Sequence, residues 1–375
     1  MIYLDSAATT LEKPCTVRRA VLKALTECAS PGRGGYCAAG KAADIMYRCR
    51  EKAAELFEFP DPERIILTHN ATHGLNIAIR TLVRPGANVV ISGYEHNAVT
   101  RVLHSIPNVK LSVAAAPLFA PNETIRSFEA AITGETDAVI CNHVSNVFGY
   151  IQPVETISEL CKKHGIPLII DASQSAGILP ISMEKLGAAF IAMPGHKGLY
   201  GPQGTGLLLC GADPDPILFG GTGSASVNQR MPDYLPDRLE AGTPNVCGAA
   251  GLLAGMEFVK SKGIQNIGKY ESSLCRRLSR ILDRIPGVRV FEGPGQSGVL
   301  SVILDGIDCE TVGERLAAAG IAVRAGLHCA PLAHRTAGTL ESGTVRLSFS
   351  AFNSAWQLER TAAEIRKIAE SKRAQ

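Results

Sequence analysis

Short, continuous apolar runs separated by helical patterns fill the first two thirds of the chain. Arg64-Ile65-Ile66-Leu67-Thr68, Asn88-Val89-Val90-Ile91-Ser92, Ala138-Val139-Ile140-Cys141, Pro167-Leu168-Ile169-Ile170-Asp171, residues 188–193 and Gly206-Leu207-Leu208-Leu209-Cys210 each read as a strand. Strands apolar on both sides must be covered on both sides. The series therefore indicates an α/β chain with a mostly parallel central sheet between helices. Two of those helices are legible, one opening at Asn70 and running to about Val83, the other spanning residues 158–164.

Near Ala250 the pattern changes. A largely helical stretch covers residues 249–285, and residues 287–291, 298–304 and 345–349 read as strands of a smaller α+β unit. Residues 355–371 form a closing amphipathic helix. With 375 residues, 46% of them hydrophobic, the chain can fill two cores. The expected division is an N-terminal segment, 1–15, packing with the small domain, a large domain, 16–255, and a small C-terminal domain, 256–375.

Composition removes several function classes. The net charge of +3 is spread without a basic stripe, so no nucleic-acid partner is expected. The start, Met1-Ile2-Tyr3-Leu4-Asp5, lacks a signal-peptide pattern, and no run reaches the ~18 apolar residues of a membrane span. The expectation is a soluble, cytoplasmic protein. The 11 cysteines are odd in number and include no C-x-x-C pair, which leaves a zinc ribbon or thioredoxin motif unsupported. Cys49, Cys141, Cys161, Cys210 and Cys275 fall in helix-like or strand-like stretches and are expected as small buried hydrophobes.

In a doubly wound sheet, ligands bind beyond the carboxyl ends of the strands. Polar residues gather at those ends here. Lys197 follows the run 188–193 in Gly195-His196-Lys197-Gly198, where it is either a surface loop lysine or a desolvated amine able to form a Schiff base. Ala71 and Thr72 open a helix after a strand; the turn is an ordinary cap on Asn70 or a phosphate site. Asp171 either caps the next helix or holds a protonated ring nitrogen. His96 and Asn146 also follow strands. A lysine, an aspartate and a helix start at adjoining strand ends are the parts that pyridoxal phosphate chemistry requires.

Two near-motifs carry less. Gly35-Tyr36-Cys37-Ala38-Ala39-Gly40-Lys41-Ala42 approaches a P-loop but lacks the Ser/Thr for magnesium and a preceding strand. His69 and His73 have zinc-ligand spacing without the glutamate after His69, and no metal is expected. The loop Arg324-Ala325-Gly326-Leu327-His328-Cys329-Ala330-Pro331 sets a cysteine among positive neighbours, which suits a reactive thiolate or a tolerated loop cysteine. Arg346, mid-strand between apolar residues, calls for an anion, either a substrate carboxylate or an internal acid.

Together these residues resemble the class V aminotransferase-like branch of fold-type I pyridoxal-phosphate enzymes, and most closely the cysteine desulfurases and selenocysteine lyases. The resemblance runs from Leu4-Asp5-Ser6-Ala7-Ala8-Thr9 through Glu95-His96, His143-Val144-Ser145-Asn146, Asp171-Ala172-Ser173-Gln174, Gly195-His196-Lys197 and Glu240-Ala241-Gly242-Thr243-Pro244-Asn245 to the Cys329 loop and Val345-Arg346. It implies pyridoxal 5'-phosphate bound to Lys197, Asp171 on the pyridine nitrogen, and Gln174 and Asn146 on the phenolic-oxygen side. It implies His96 stacked on the ring and Ala71, Thr72 and His196 on the phosphate. Thr243 is implied to reach the other subunit's phosphate, hence a homodimer. Arg346, with Asn146 and Ala8, is implied to hold the substrate, and Cys329 to take its sulfur as a persulfide, releasing alanine. L-cysteine is the implied substrate, L-selenocysteine a second one, and a sulfur-acceptor protein of sulfur metabolism or iron–sulfur cluster assembly the implied partner. The alternative is another class V reaction, with Cys329 non-catalytic.

The chain departs from the family pattern in three places. Ala71-Thr72 stands for a Thr-Thr pair, Tyr36 for a histidine, and the stretch 332–339 differs. These bear on substrate and acceptor rather than cofactor.

Overall fold

The structure, a computed structural model, describes residues 1–32 and 34–373, the last two by backbone alone. Strand β1 (Ile2–Tyr3) opens the chain. The main sheet contains β2 (Ile65–Thr68), β3 (Asn88–Ser92), β4 (Lys110–Ala114), β5 (Ala138–Asn142), β6 (Leu168–Asp171), β7 (Phe190–Pro194) and β8 (Gly206–Cys210), in the order β2-β8-β7-β6-β5-β3-β4. β8 is antiparallel to both neighbours and the other pairs are parallel. Strands β5 to β8 are buried at every position, as their unbroken apolar runs require. One core fills each face of the sheet.

The small unit holds β9 (Val288–Phe291), β10 (Val299–Leu304), β11 (Ile321–Ala322), β12 (Arg324–Gly326) and β13 (Thr344–Ser348). Four of them form an antiparallel sheet, β12-β13-β10-β9. β11 pairs in parallel with β1, and Asp5 bridges Ser348. The N-terminal segment thus lies alongside the small sheet. Val345 and Leu347 enter this unit's own core with Leu300, Val302, Leu278 and Ile365. Side chains alternate along a strand, so Arg346 points to the opposite face.

Two differences from the sequence reading have simple causes. β4 is mostly exposed and mixes Lys110 and Ser112 with apolar residues, so no apolar run marked it. The stretch 249–285 is two helices, Val246–Lys262 and Ile264–Leu282, divided at Gly263, whose φ of +82° suits glycine. Cys49, Cys141, Cys161, Cys210 and Cys275 are all buried, as expected. Among the described residues no helix is long and apolar enough to cross a membrane.

In-register pairing sets Asn142 beside Asp171, and Asp171 beside Ala192. The ends of β5, β6 and β7 therefore converge, and the segments that follow them meet.

Candidate active site

Lys197 lies in the turn after β7. Both glycines flanking His196-Lys197 are sterically required: a Cβ on Gly195 would meet Thr205 Oγ1 at 2.2 Å, and one on Gly198 the Ala176 carbonyl at 2.4 Å. The turn projects Lys197 into a cavity of about 520 Å³ lined by Ala71, Thr72, His96, Asn146, Asp171, Gln174 and His196. Eight sequence candidates thus share one cavity.

Burial lowers the Lys197 amine to about 8, against the opposing pull of Asp171. Asp171 is itself buried, and its Oδ1 accepts from the Ser173 amide at 2.9 Å. His96 accepts from the Ala98 amide at 3.0 Å through Nδ1, which places its proton on Nε2. Burial brings this ring down to about 4, so it is neutral near pH 7. His196 is likewise brought to about 4 by burial, and its Nδ1 is buried without a partner. Asn70 caps the helix Ala71–Leu82 by accepting from the His73 amide at 2.9 Å. Its cap leaves the first-turn amides of Ala71 and Thr72 for a ligand. The cap and phosphate-site readings of this turn are thus compatible. Beneath the site, buried Glu95 accepts from Ser92 Oγ at 2.5 Å and from the Asn142 amide at 2.7 Å, tying β3 to β5.

Arg346 is almost fully buried. Its Nη2 donates to Asp5 Oδ1 at 2.7 Å and its Nη1 to the Asn146 carbonyl at 3.0 Å, while Nε has no partner. Of the two anions open to it in the sequence, the internal one is present. Asp5 was quoted there only within a motif; a buried arginine's need for an acid is the signal that could have found it.

Cys329 is exposed and follows β12. His328 and Cys329 take left-handed φ values of +51° and +56°. For residues with a side chain this costs about 1–3 kcal/mol each and persists only where contacts enforce it. Three contacts do so. Asn97 N donates to the Cys329 carbonyl at 2.8 Å, Asn146 Nδ2 donates to the His328 carbonyl at 2.8 Å, and His328 Nε2 lies 3.1 Å from both Thr344 oxygens. Burial, helped by Arg346, pushes the His328 imidazole down to about 2. His328 is therefore a neutral anchor, not the positive neighbour expected from the sequence.

Two candidates lie elsewhere. Thr243 lines a separate cavity with His69, His73, Thr205 and Glu240. Ala8 sits in a turn, donating to the Asp5 carbonyl at 3.0 Å, while the neighbouring Ala7 carbonyl accepts from Gln174 Nε2 at 2.9 Å. Sequence reading also missed Lys13, whose Nζ donates to the His196 carbonyl at 2.9 Å. Nothing near Lys13 in the sequence marks that contact.

Comparison with known proteins places this geometry. Residues 2–361 match the family Aminotransferase class-V. A probable cysteine desulfurase of Mycolicibacterium paratuberculosis is 34% identical over 99% of this chain and 56% of its own length. The chain thus spans little more than half of that relative. A probable cysteine desulfurase of Methanothermobacter thermautotrophicus is 32% identical over 98% of this chain and 94% of its own. Among solved structures, a cysteine desulfurase from Thermococcus onnurineus superposes with a TM-score of 0.89 at 30% identity, covering 99% of this chain and 95% of that one. The mostly parallel sheet and smaller α+β unit are the fold-type I architecture expected from the sequence. Matched along nearly its whole length, the chain belongs to the class V aminotransferase family.

Proposed function

We propose that this protein is a pyridoxal-phosphate-dependent cysteine desulfurase that converts L-cysteine to L-alanine and leaves the sulfur on Cys329 as a persulfide. The observation that carries the reading is the convergence of Lys197, Asp171, His96 and a helix N-terminus on one cavity, with the exposed Cys329 held through its carbonyl by the amide of Asn97, the residue after His96.

The class V family is pyridoxal-phosphate-dependent, and the residues present fit that group. His196 Nδ1 and Asn146 Oδ1 are buried without partners on residues that line the cavity, so a polar ligand there offsets their desolvation. Bound pyridoxal phosphate supplies an electron sink that weakens bonds at the α and β carbons of an amino acid. Lys197, with its amine near 8, is the covalent anchor and moves protons at Nζ. Asp171 holds the proton on the ring nitrogen, and the amides of Ala71 and Thr72, with His196, hold the phosphate. Neutral His96 would pack against the ring, and Gln174 and Asn146 would serve its oxygen side. Arg346 orients the substrate carboxylate.

Sulfur transfer needs no further reagent. The thiolate of Cys329 forms an S–S bond to the substrate sulfur while the Cβ–S bond breaks. The bond pair stays with the carbon fragment, which takes a proton to become alanine. The position of Thr243 outside its own chain's Lys197 cavity supports a homodimer in which each copy lends Thr243 to the other. A sulfur-acceptor protein then consumes the persulfide. The division into segment 1–15, large domain 16–255 and small domain 256–375 belongs to the same proposal.

Replacing Cys329 by Ser tests the reading. Sulfide release from L-cysteine is expected to vanish while cofactor absorbance remains; full-rate release would point instead to another class V reaction.

A further inference from the structure

Asn146 touches three functional elements at once. Its backbone carbonyl accepts from Arg346 Nη1 at 3.0 Å, and its side-chain Nδ2 donates to the His328 carbonyl at 2.8 Å. Its Oδ1 is buried without a partner, and the residue lines the Lys197 cavity. The carbonyl it holds belongs to one of two consecutive left-handed residues, the second being Cys329. Such a backbone relaxes once a restraint is lost. The remaining restraints act elsewhere: Asn97 N on the Cys329 carbonyl, and Thr344 on the His328 ring. No other described hydrogen bond reaches the His328 carbonyl.

We propose that Asn146 is a positioning residue for Cys329: through Nδ2 it fixes the left-handed His328-Cys329 pair, and through its carbonyl it ties that pair to Arg346. Its amide is thereby divided between cavity and cysteine loop. A rearrangement of either Arg346 or the cavity is felt at Cys329 through one residue, by its backbone carbonyl or its side-chain amide. This role differs from a contact to cofactor or substrate, because it acts on the protein backbone. Its value for sulfur transfer rests on the reading of Cys329 as acceptor; the restraint itself does not.

The test uses Asn146→Asp, which keeps the shape and one oxygen but removes the donor, and Asn146→Leu, which removes the donor without adding charge. Hydrogen exchange is followed at the Asn97 amide, which bonds the Cys329 carbonyl, and across residues 324–331. Both variants are expected to speed exchange there about five- to tenfold, the worth of one hydrogen bond. Amides of β6 are expected to keep wild-type protection. The same change is expected in a Cys329→Ala background, where sulfur transfer cannot contribute. In the cofactor-loaded enzyme, kcat is expected to fall. Unchanged exchange at Asn97 in both variants overturns the proposal. Loss of protection at β6 as well also overturns it, since Asn146 would then support the fold at large. If instead Cys329→Ala keeps full desulfurase activity, the functional reading fails while the restraint stands on the exchange data.

Discussion

Arg346 and Asp5 lie 341 positions apart in sequence and are joined by a 2.7 Å ion pair. The pair exists because the N-terminal segment runs beside β13, where Asp5 bridges Ser348. It holds the guanidinium in place before any substrate arrives. A charge this buried is stable only with its partner.

Removing that partner is therefore costly. Asp5→Asn is expected to lower the unfolding free energy by about 3 kcal/mol, the low end for breaking a buried pair. Adding Arg346→Leu to Asp5→Asn is expected to recover a large part of the loss. Urea denaturation of the single and double variants measures both. Additive losses would mean that the two side chains do not depend on each other.

Lys197 must be neutral to attack an aldehyde. Its amine lies near 8, so cofactor loading of the apoprotein is expected to accelerate with pH through about 8 and then level. Stopped-flow absorbance measures the rate. A midpoint near 10.5, the ordinary lysine value, would show that burial does not act on this amine.

Buried Glu271 accepts from Tyr200 at 3.3 Å, and burial raises its carboxyl to about 8. A raised carboxyl favours folding fully below the unfolded value of 4.5, and that contribution is lost as pH rises to the folded value near 8. The stability of Glu271→Gln relative to the native chain is therefore expected to grow from pH 4.5 to 8 and then level. Thermal unfolding across that range tests the sign; a constant difference contradicts it.

Gly198→Ala places a Cβ 2.4 Å from the Ala176 carbonyl and must displace the lysine turn. A shift of about 1 Å in a reacting group costs on the order of 100-fold in rate. The variant is expected to remain folded, by circular dichroism, with kcat reduced by about that factor. An unimpaired kcat would show that the turn has slack.

What the sequence revealed follows from which interactions are local. The strand series was legible because full burial demands unbroken apolar runs, as in β5 to β8. Lys197, Asp171, Thr72 and His96 were legible because each follows such a run. Asp5 as the partner of Arg346 was not, because the pairing depends on the N-terminal segment reaching β13. Nor was the neutral state of His328, since its Thr344 anchor and its burial arise only when β12 pairs with β13. β4 escaped because an exposed edge strand needs no apolar run.

The central claim is that Cys329 receives the substrate's sulfur. The cofactor-loaded protein is incubated with L-cysteine, alanine is quantified, and the peptide carrying Cys329 is weighed by mass spectrometry. Alanine is expected in step with a gain of one sulfur atom on that peptide. Alanine formed with Cys329 unmodified, and formed equally by Cys329→Ser, would contradict it.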